Sequence, residues 1–314
     1  MEWNKLLSRH RLFRNEKRTG MDARTSFQRD YDRIVFSAAF RRLQDKAQVF
    51  PLAKSDYVRT RLTHSLEASC VGRSLGTMVG QRLLEEEKGL AASFHPMELG
   101  AIVAAACLAH DIGNPPFGHA GENAIGHWFR TSPYAGGLCD ALSEERGATT
   151  RRELENFEGN AQGFRVLARL ENHVNHGGLQ LTCATLGAFV KYPRDCAGPG
   201  PPNRRNGVSS KKHGLFEQDA TIFREVARET GISVRGQPGN ESGGPGLVAC
   251  RHPLAFLVEA ADDICYHIVD IEDGYKMRLL GFDEAADLMR AVLGPQQAAV
   301  RDADHPAERR IEPL

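Results

Sequence analysis

A histidine and a carboxylate stand side by side at His110-Asp111, at the end of the apolar run Leu99 to Ala109 and just before Gly113. Two such side chains at a helix end can reach one metal ion where the backbone begins to turn. The same dipeptide also serves as an ordinary cap or surface pair. Upstream, Arg61-Leu62-Thr63-His64 puts a second histidine at the start of a helical pattern. Downstream, Glu259, Asp262 and Asp263 interrupt an otherwise apolar helix, and carboxylates buried in such a setting need a partner or a metal. Asp262, Tyr266 and Asp270 recur at i, i+4 and i+8 and share one helix face. Asp263 lies roughly 100° further round and is expected to cap or pair elsewhere. His119 and Glu122 stand at i and i+3 in PFGHAGE. A carboxylate that orients an imidazole makes a tuned acid–base pair; the alternative is a helix cap with its N3 partner.

The elements that must position these groups are helical. From Asp30, apolar Tyr31, Ile34, Val35, Ala38, Ala39 and Leu43 recur at three- and four-residue spacing until Pro51. A second helix is expected from Thr63 to about Lys88, with Leu66, Cys70, Leu75, Val79 and Leu83 inward and Glu85-Glu86-Glu87 at its wet end. A third runs from Pro96 to about Ile112, opened by Pro and Glu98. It is apolar nearly all round and so belongs at the centre. Further helices are expected near 120–130, 151–176, 180–190, 215–230 and 253–273. No stretch sustains the alternation of a strand, so the fold class is all-α. Residues 30–290 form the core, and two Pro- and Gly-dense loops interrupt it at 193–214 and 231–249. Residues 1–29 read as a basic arm, with Arg14, Lys17, Arg18, Arg24 and Arg29. Such an arm is either solvated or a subunit or nucleic-acid contact. Residues 291–314 read as a short polar tail.

Composition removes other classes. Forty basic and 40 acidic residues among 314 cancel, which disfavours a general polyanion binder. No apolar run reaches the roughly 18 residues of a membrane span, and the N-terminal segment lacks a signal-peptide core. Seven cysteines without a C-x-x-C pair suit reduced thiols in a cytoplasmic protein. There is no G-x-x-x-x-G-K-[ST] loop and no G-x-S-x-G elbow.

The order His, His-Asp, Asp resembles the HD-domain metal-dependent phosphohydrolases. Within them the chain resembles the deoxyguanosinetriphosphate triphosphohydrolase family. The segments that carry the likeness are FRRLQDKAQVF (40–50), RTRLTHSLE (59–67), LAHDIGNPPFGHAGE (108–122), FEGNAQGFR (157–165), LTCATLGAFVKYPR (181–194), SKKHG (210–214) and RHPLAFLVEAADDICY (251–266). The resemblance implies an HD-domain helical bundle with long loop insertions. It implies metal ligands at His64, His110, Asp111 and Asp262; the family's metal aspartate opens an Asp-x-x-x-Tyr-x-x-x-Asp pattern that only Asp262 matches. Two His and two Asp suit Mn²⁺ or Mg²⁺.

By the same resemblance, His119 and Glu122 are catalytic. Gln48 and Val49 meet the sugar 3′-hydroxyl, and Arg61, Asn160, Lys191 and Lys212 contact phosphates. Tyr192 and Tyr266 flank the sugar, and Asp270 supports the site by hydrogen bonding. Any one of the lysines could instead be a solvated surface charge. The implied reaction turns a dNTP and water into deoxynucleoside and tripolyphosphate. A homo-oligomer and a dNTP or single-stranded DNA effector are implied as partners. The alternatives are another HD-type nucleotide phosphohydrolase, such as a nucleotidase or phosphodiesterase, and a non-catalytic nucleotide- or single-stranded-DNA-binding regulator. Chains of the family usually continue well beyond the position matching Met289.

Overall fold

The computed structural model describes residues 1–13, 23–52, 57–141, 144–172, 174, 176–197, 211–235 and 246–294. In chain order its helices are α1 (Trp3–Leu6), α2 (Ser26–Val35), α3 (Ala38–Arg41), α4 (Arg61–Glu86), α5 (Pro96–Ala109), α6 (Gly118–Thr131), α7 (Ala135–Asp140), α8 (Glu144–Glu155), α9 (Gly159–Arg165), α10 (Cys183–Phe189), α11 (Ala220–Thr230), α12 (Pro253–Lys276) and α13 (Phe282–Leu293). Among the described residues the only sheet is a two-stranded antiparallel ribbon, β1 (Val234–Arg235) with β2 (Val248–Ala249). The expected all-α class holds. No described helix is long and apolar enough to cross a membrane.

The centre is α5. His95 caps it, Pro96 occupies its first turn, and Glu98 closes a capping box. Leu99, Gly100 and every residue from Ile102 to Ala109 are buried, because α2, α4, α10 and α12 pack around it. The α4 face turned to α5 is not the aliphatic one that periodicity suggests. Leu66, Cys70 and Val79 are exposed, Leu75 and Leu83 are partly buried against the core, and the fully buried face carries Ser65, Ala68, Ser69, Gly72, Gly76 and Gly80. A Cβ on Gly76 would stand 2.9 Å from the Gly100 Cα, the Leu99 carbonyl oxygen and a Val103 methyl. The two helix backbones therefore approach more closely than Leu or Val on that face would allow.

Two other expectations are corrected by local geometry. The pattern from Asp30 to Leu43 is divided between α2 and α3, because Ser37 leaves the helical conformation and caps Phe40. The stretch 151–176 is divided as well. The chain is extended at Glu158, the N-cap of α9. Gly159 then runs so close to Asn114 and Glu122 that a Cβ would meet the Asn114 side chain at 2.1 Å. The periodic pattern shows neither the two short helices α1 and α7 nor α13.

The first thirteen residues are not a solvated arm. Leu6, Leu7 and Leu12 are buried in the core. Arg11 is buried as an ion pair with Asp30, whose other oxygen accepts from the Thr182 amide and from the Thr182 and Thr185 hydroxyls. Arg14, Lys17 and Arg18 lie outside the described residues. His252 caps α12 through Nδ1, which accepts from the Leu254 amide at 3.1 Å, so the proton is on Nε2 and is donated to the Leu6 carbonyl at 3.0 Å. Burial pulls its pKa down to about 4. Among the described flanks of the two Pro/Gly segments, Arg194 of the first pairs with Val248 of the second, and Asp195 pairs with Leu215 across the ends of the first. Residues 198–210, 236–245 and 295–314 lie outside the described residues.

Candidate metal centre and anion cleft

Four segments meet at one site. α4 starts where Thr60 and Thr63 form a reciprocal capping box. This sets Arg61 and His64 on the first turn, facing α5 and α12. Just before it, Arg59 bonds Glu67 of α4 and both Glu272 and Asp273 of α12, which fixes α12 against α4. His110 and Asp111 follow the last turn of α5. Gly113 then lies so close to α9 that a Cβ would meet the Gly159 carbonyl and Gly163 amide at about 2.2 Å or less. Phe117 and Gly118 adopt left-handed backbone angles, φ +66° and +52°. That turn aims α6, with His119 and Glu122, back at the site.

His64, His110 and Asp262 converge, with one donor atom of each within 4.8 Å of the others. His64 Nε2 is 3.1 Å from Asp262 Oδ1, and His110 Nε2 is 3.5 Å from the same oxygen. His110 Nδ1 donates to the Cys107 carbonyl at 2.7 Å, which fixes the tautomer and leaves the Nε2 lone pair facing Asp262. Burial opposes charge on His110, but Asp111 and Asp262 raise its pKa. Burial likewise opposes charge on Asp262, yet His110 and His64 hold its carboxyl well below the usual range. Two imidazoles and a carboxylate are a donor set that suits a divalent cation.

Asp111 stands beside this trio, its Oδ2 3.5 Å from His110 Nε2. It also accepts from Arg61 at 2.6 Å and from Asn114 at 2.5 Å. Asp263 is exposed on the cleft wall, off the cluster, as its helical phase implies.

The trio opens on a cleft of about 650 Å³. Gln48, Val49, Arg61, His110, Asp111, His119, Glu122, Asn160, Lys191, Tyr192, Lys212, Asp262 and Tyr266 all line it. His64, the third member of the trio, is fully buried and does not line the cleft. Asp270 lies off the cleft and hydrogen-bonds Tyr266; burial raises its pKa. The buried Gln48 Oε1 has no hydrogen-bond partner and so is an acceptor awaiting a donor.

The acid–base pair differs from the simple expectation. His119 Nε2 and Glu122 Oε2 are 4.0 Å apart, too far for a hydrogen bond. Glu122 is fixed instead by the Gly159 amide at 2.8 Å. Lys212 stands between the two, 3.0 Å from His119 Nε2 and 3.6 Å from Glu122 Oε2. Lys191 is 3.2 Å from Glu259, which also accepts from the buried Arg251 at 2.7 Å. Burial works against charge on Lys191, but Glu259 and Asp262 are among the neighbours that raise its pKa. Burial raises the pKa of Tyr192.

Glu158 and Arg251 touch these groups and were not singled out by spacing. Each stands inside a motif segment, FEGNAQGFR and RHPLAFLVEAADDICY, but nothing local marks its partner.

Residues 61–160 match the family model of the HD domain. Over 299 residues the chain is 48% identical to a deoxyguanosinetriphosphate triphosphohydrolase-like protein of Synechocystis, covering 93% of this chain and 64% of that protein. It is 44% identical over 296 residues to a protein of the same description from Pseudomonas aeruginosa, covering 94% and 62%. The deoxyguanosinetriphosphate triphosphohydrolase of Yersinia enterocolitica is 36% identical over 286 residues, covering 84% and 52%. The chain thus spans less than two thirds of the length of these relatives.

Proposed function

We propose that this chain, which carries an HD domain and is related to the deoxyguanosinetriphosphate triphosphohydrolase-like proteins, hydrolyses deoxynucleoside triphosphates to deoxynucleoside and tripolyphosphate. One observation carries the reading: His110 and Asp262 of a two-His, one-Asp cluster line a single cleft together with the exposed His119 and the cationic Arg61, Lys191 and Lys212. His64, His110 and Asp262, with Asp111 beside them, would hold a divalent ion, Mn²⁺ or Mg²⁺. Such an ion neutralises phosphate charge and lowers the pKa of water at neutral pH.

The chain's own residues supply the rest. Arg61, Lys191, Lys212 and Asn160 hold the phosphates, which is positioning together with charge stabilisation. Water attacks the α-phosphorus and the 5′-oxygen leaves. His119 Nε2 is the atom that handles the proton of that step, and the Glu122 carboxylate, 4.0 Å away, supplies the negative charge beside it. Gln48 Oε1 accepts from the sugar 3′-hydroxyl, and Val49, Tyr192 and Tyr266 enclose the deoxyribose. A cytoplasmic homo-oligomer with a dNTP or single-stranded DNA effector belongs to the same proposal. Sedimentation and salt-dependent DNA binding test those parts.

The direct test incubates the protein with each dNTP and each rNTP in Mn²⁺ or Mg²⁺ and resolves the phosphate products by ion chromatography. Tripolyphosphate from dNTPs and not from rNTPs is expected. Orthophosphate or pyrophosphate would assign a different nucleotide hydrolase to this scaffold. His110→Ala should lose bound metal and turnover together. His119→Ala should keep metal and lose most of the rate, about 100-fold or more.

A further inference from the structure

Glu158 is the N-cap residue of α9, yet its side chain makes no cap hydrogen bond. The nearby Gly159 amide is taken by Glu122. Glu158 is buried, 7% exposed as a residue, and one of its carboxylate oxygens, Oε1, accepts from both Lys212 Nζ at 2.9 Å and Asn160 Nδ2 at 2.8 Å. These are two of the four groups assigned above to the phosphates. Lys212 also touches His119 Nε2. An ammonium has only N–H bonds to offer, so in that contact Nε2 is the acceptor and carries no proton.

We propose that Glu158 is a positioning residue: through the single atom Oε1 it holds Lys212 and Asn160 as a preformed pair at the phosphate end of the cleft. A free lysine has a long, rotamer-rich side chain and loses that freedom on binding. A lysine already fixed by a buried carboxylate does not. Asn160, anchored through one N–H of its NH2 group, keeps the second N–H to donate to a phosphate oxygen. This inference rests on reading the cleft as a triphosphate site.

Because both bonds end on one oxygen, the variants sort in a particular order. Glu158→Gln loses the charge but presents a carbonyl oxygen at the same place, so it keeps both bonds. Glu158→Asp keeps the charge but is one methylene short. Glu158→Ala keeps neither. The probe is inorganic tripolyphosphate, with binding followed by calorimetry on the metal-loaded full chain, and folding checked for each variant by thermal melting. Wild type and E158Q should bind within about 3-fold of each other, and E158D and E158A about 10-fold or more weaker, the size expected for charge-assisted hydrogen bonds. The pair E158A/K212A should lose less than the two single losses combined, and what it loses beyond K212A is the share of Asn160. With dNTP as substrate, E158A should raise KM by a larger factor than it lowers kcat.

If E158A binds tripolyphosphate as tightly as wild type or more tightly, Glu158 is only a repulsive charge and the proposal fails. If E158Q falls with E158A, the shared-oxygen argument fails. If wild type binds no tripolyphosphate, the triphosphate reading fails and takes this inference with it. Intact wild-type binding with unchanged E158A overturns the role of Glu158 alone.

Discussion

Replacing Gly76 by alanine tests whether the site depends on how closely α4 lies on α5. In an unobstructed helix interior the change should stabilise, since glycine costs about 0.5–1 kcal/mol relative to alanine there. At Gly76 the new methyl would sit 2.9 Å from three atoms, two of them backbone, where ordinary contact begins at 3.4 Å. It is about half an ångström short on every side, and two backbones must part to admit it. Overpacking of that kind costs about 1–3 kcal/mol. Net of the propensity gain, Gly76→Ala should destabilise by roughly 1–2 kcal/mol, or about 2–8 °C in melting temperature. Gly137 in α7 is the control, because a Cβ there meets nothing within 4 Å. Gly137→Ala should therefore be neutral or stabilising by up to about 1 kcal/mol. Since α4 carries His64 and α5 leads into His110, Gly76→Ala should also weaken metal binding, read by titrating Mn²⁺ against a chelating dye. The assay is urea denaturation of both variants beside wild type. The reasoning is refuted if Gly76→Ala matches Gly137→Ala in sign.

Three further outcomes are expected. Stripping metal with a chelator should lower the melting temperature, and Mn²⁺ at about 100 times its Kd should restore roughly 2.7 kcal/mol; no response of the wild type to either treatment would remove the metal site. Burial lowers the pKa of His252 to about 4, from 6.5, and that of His213 similarly. Both rings stay neutral when folded while the unfolded chain takes up protons, so stability is complete above pH 6.5 and is lost as pH falls toward 4. Each contributes about 3 kcal/mol at the most; urea midpoints that stay level from pH 7 to pH 5 would contradict this. Arg61→Ala strands the buried Asp111 with Asn114 as its remaining partner and should cost roughly 3 kcal/mol; a loss below about 1 kcal/mol in urea would show that the pair behaves as a surface one.

The spacing of apolar residues made most helices legible, and the motif residues made most of the cleft legible. What stayed hidden has identifiable causes. The face of α4 was misassigned because the hydrophobic stripe and the closely packed stripe are different there. Leu66 and Val79 advertise burial, whereas Gly72, Gly76 and Gly80 achieve it by removing side chains altogether. The break at Gly159 follows from its contact with Asn114 and Glu122, residues distant in sequence. The basic composition of residues 1–29 pointed to solvent, but Arg11 finds a buried partner in Asp30. Glu158 was invisible as a partner because Lys212 is 54 residues away. Residue types foretold which groups are chemically able. Which lysine meets which carboxylate is tertiary information.

The proposed metal donors are also far apart in time. His64 and Asp262 are 198 residues apart, and His110 lies between them. During synthesis at roughly 5–20 residues per second, the two histidines emerge many seconds before the aspartate that completes their triangle. Until α12 docks, α4 and α5 hold a half-formed site in which Asp111 is the one carboxylate beside the histidines. An ion bound by this proposed site would tie the late part of the chain to the early part, and so would act as a latch on completed folding and not as a seed for its beginning.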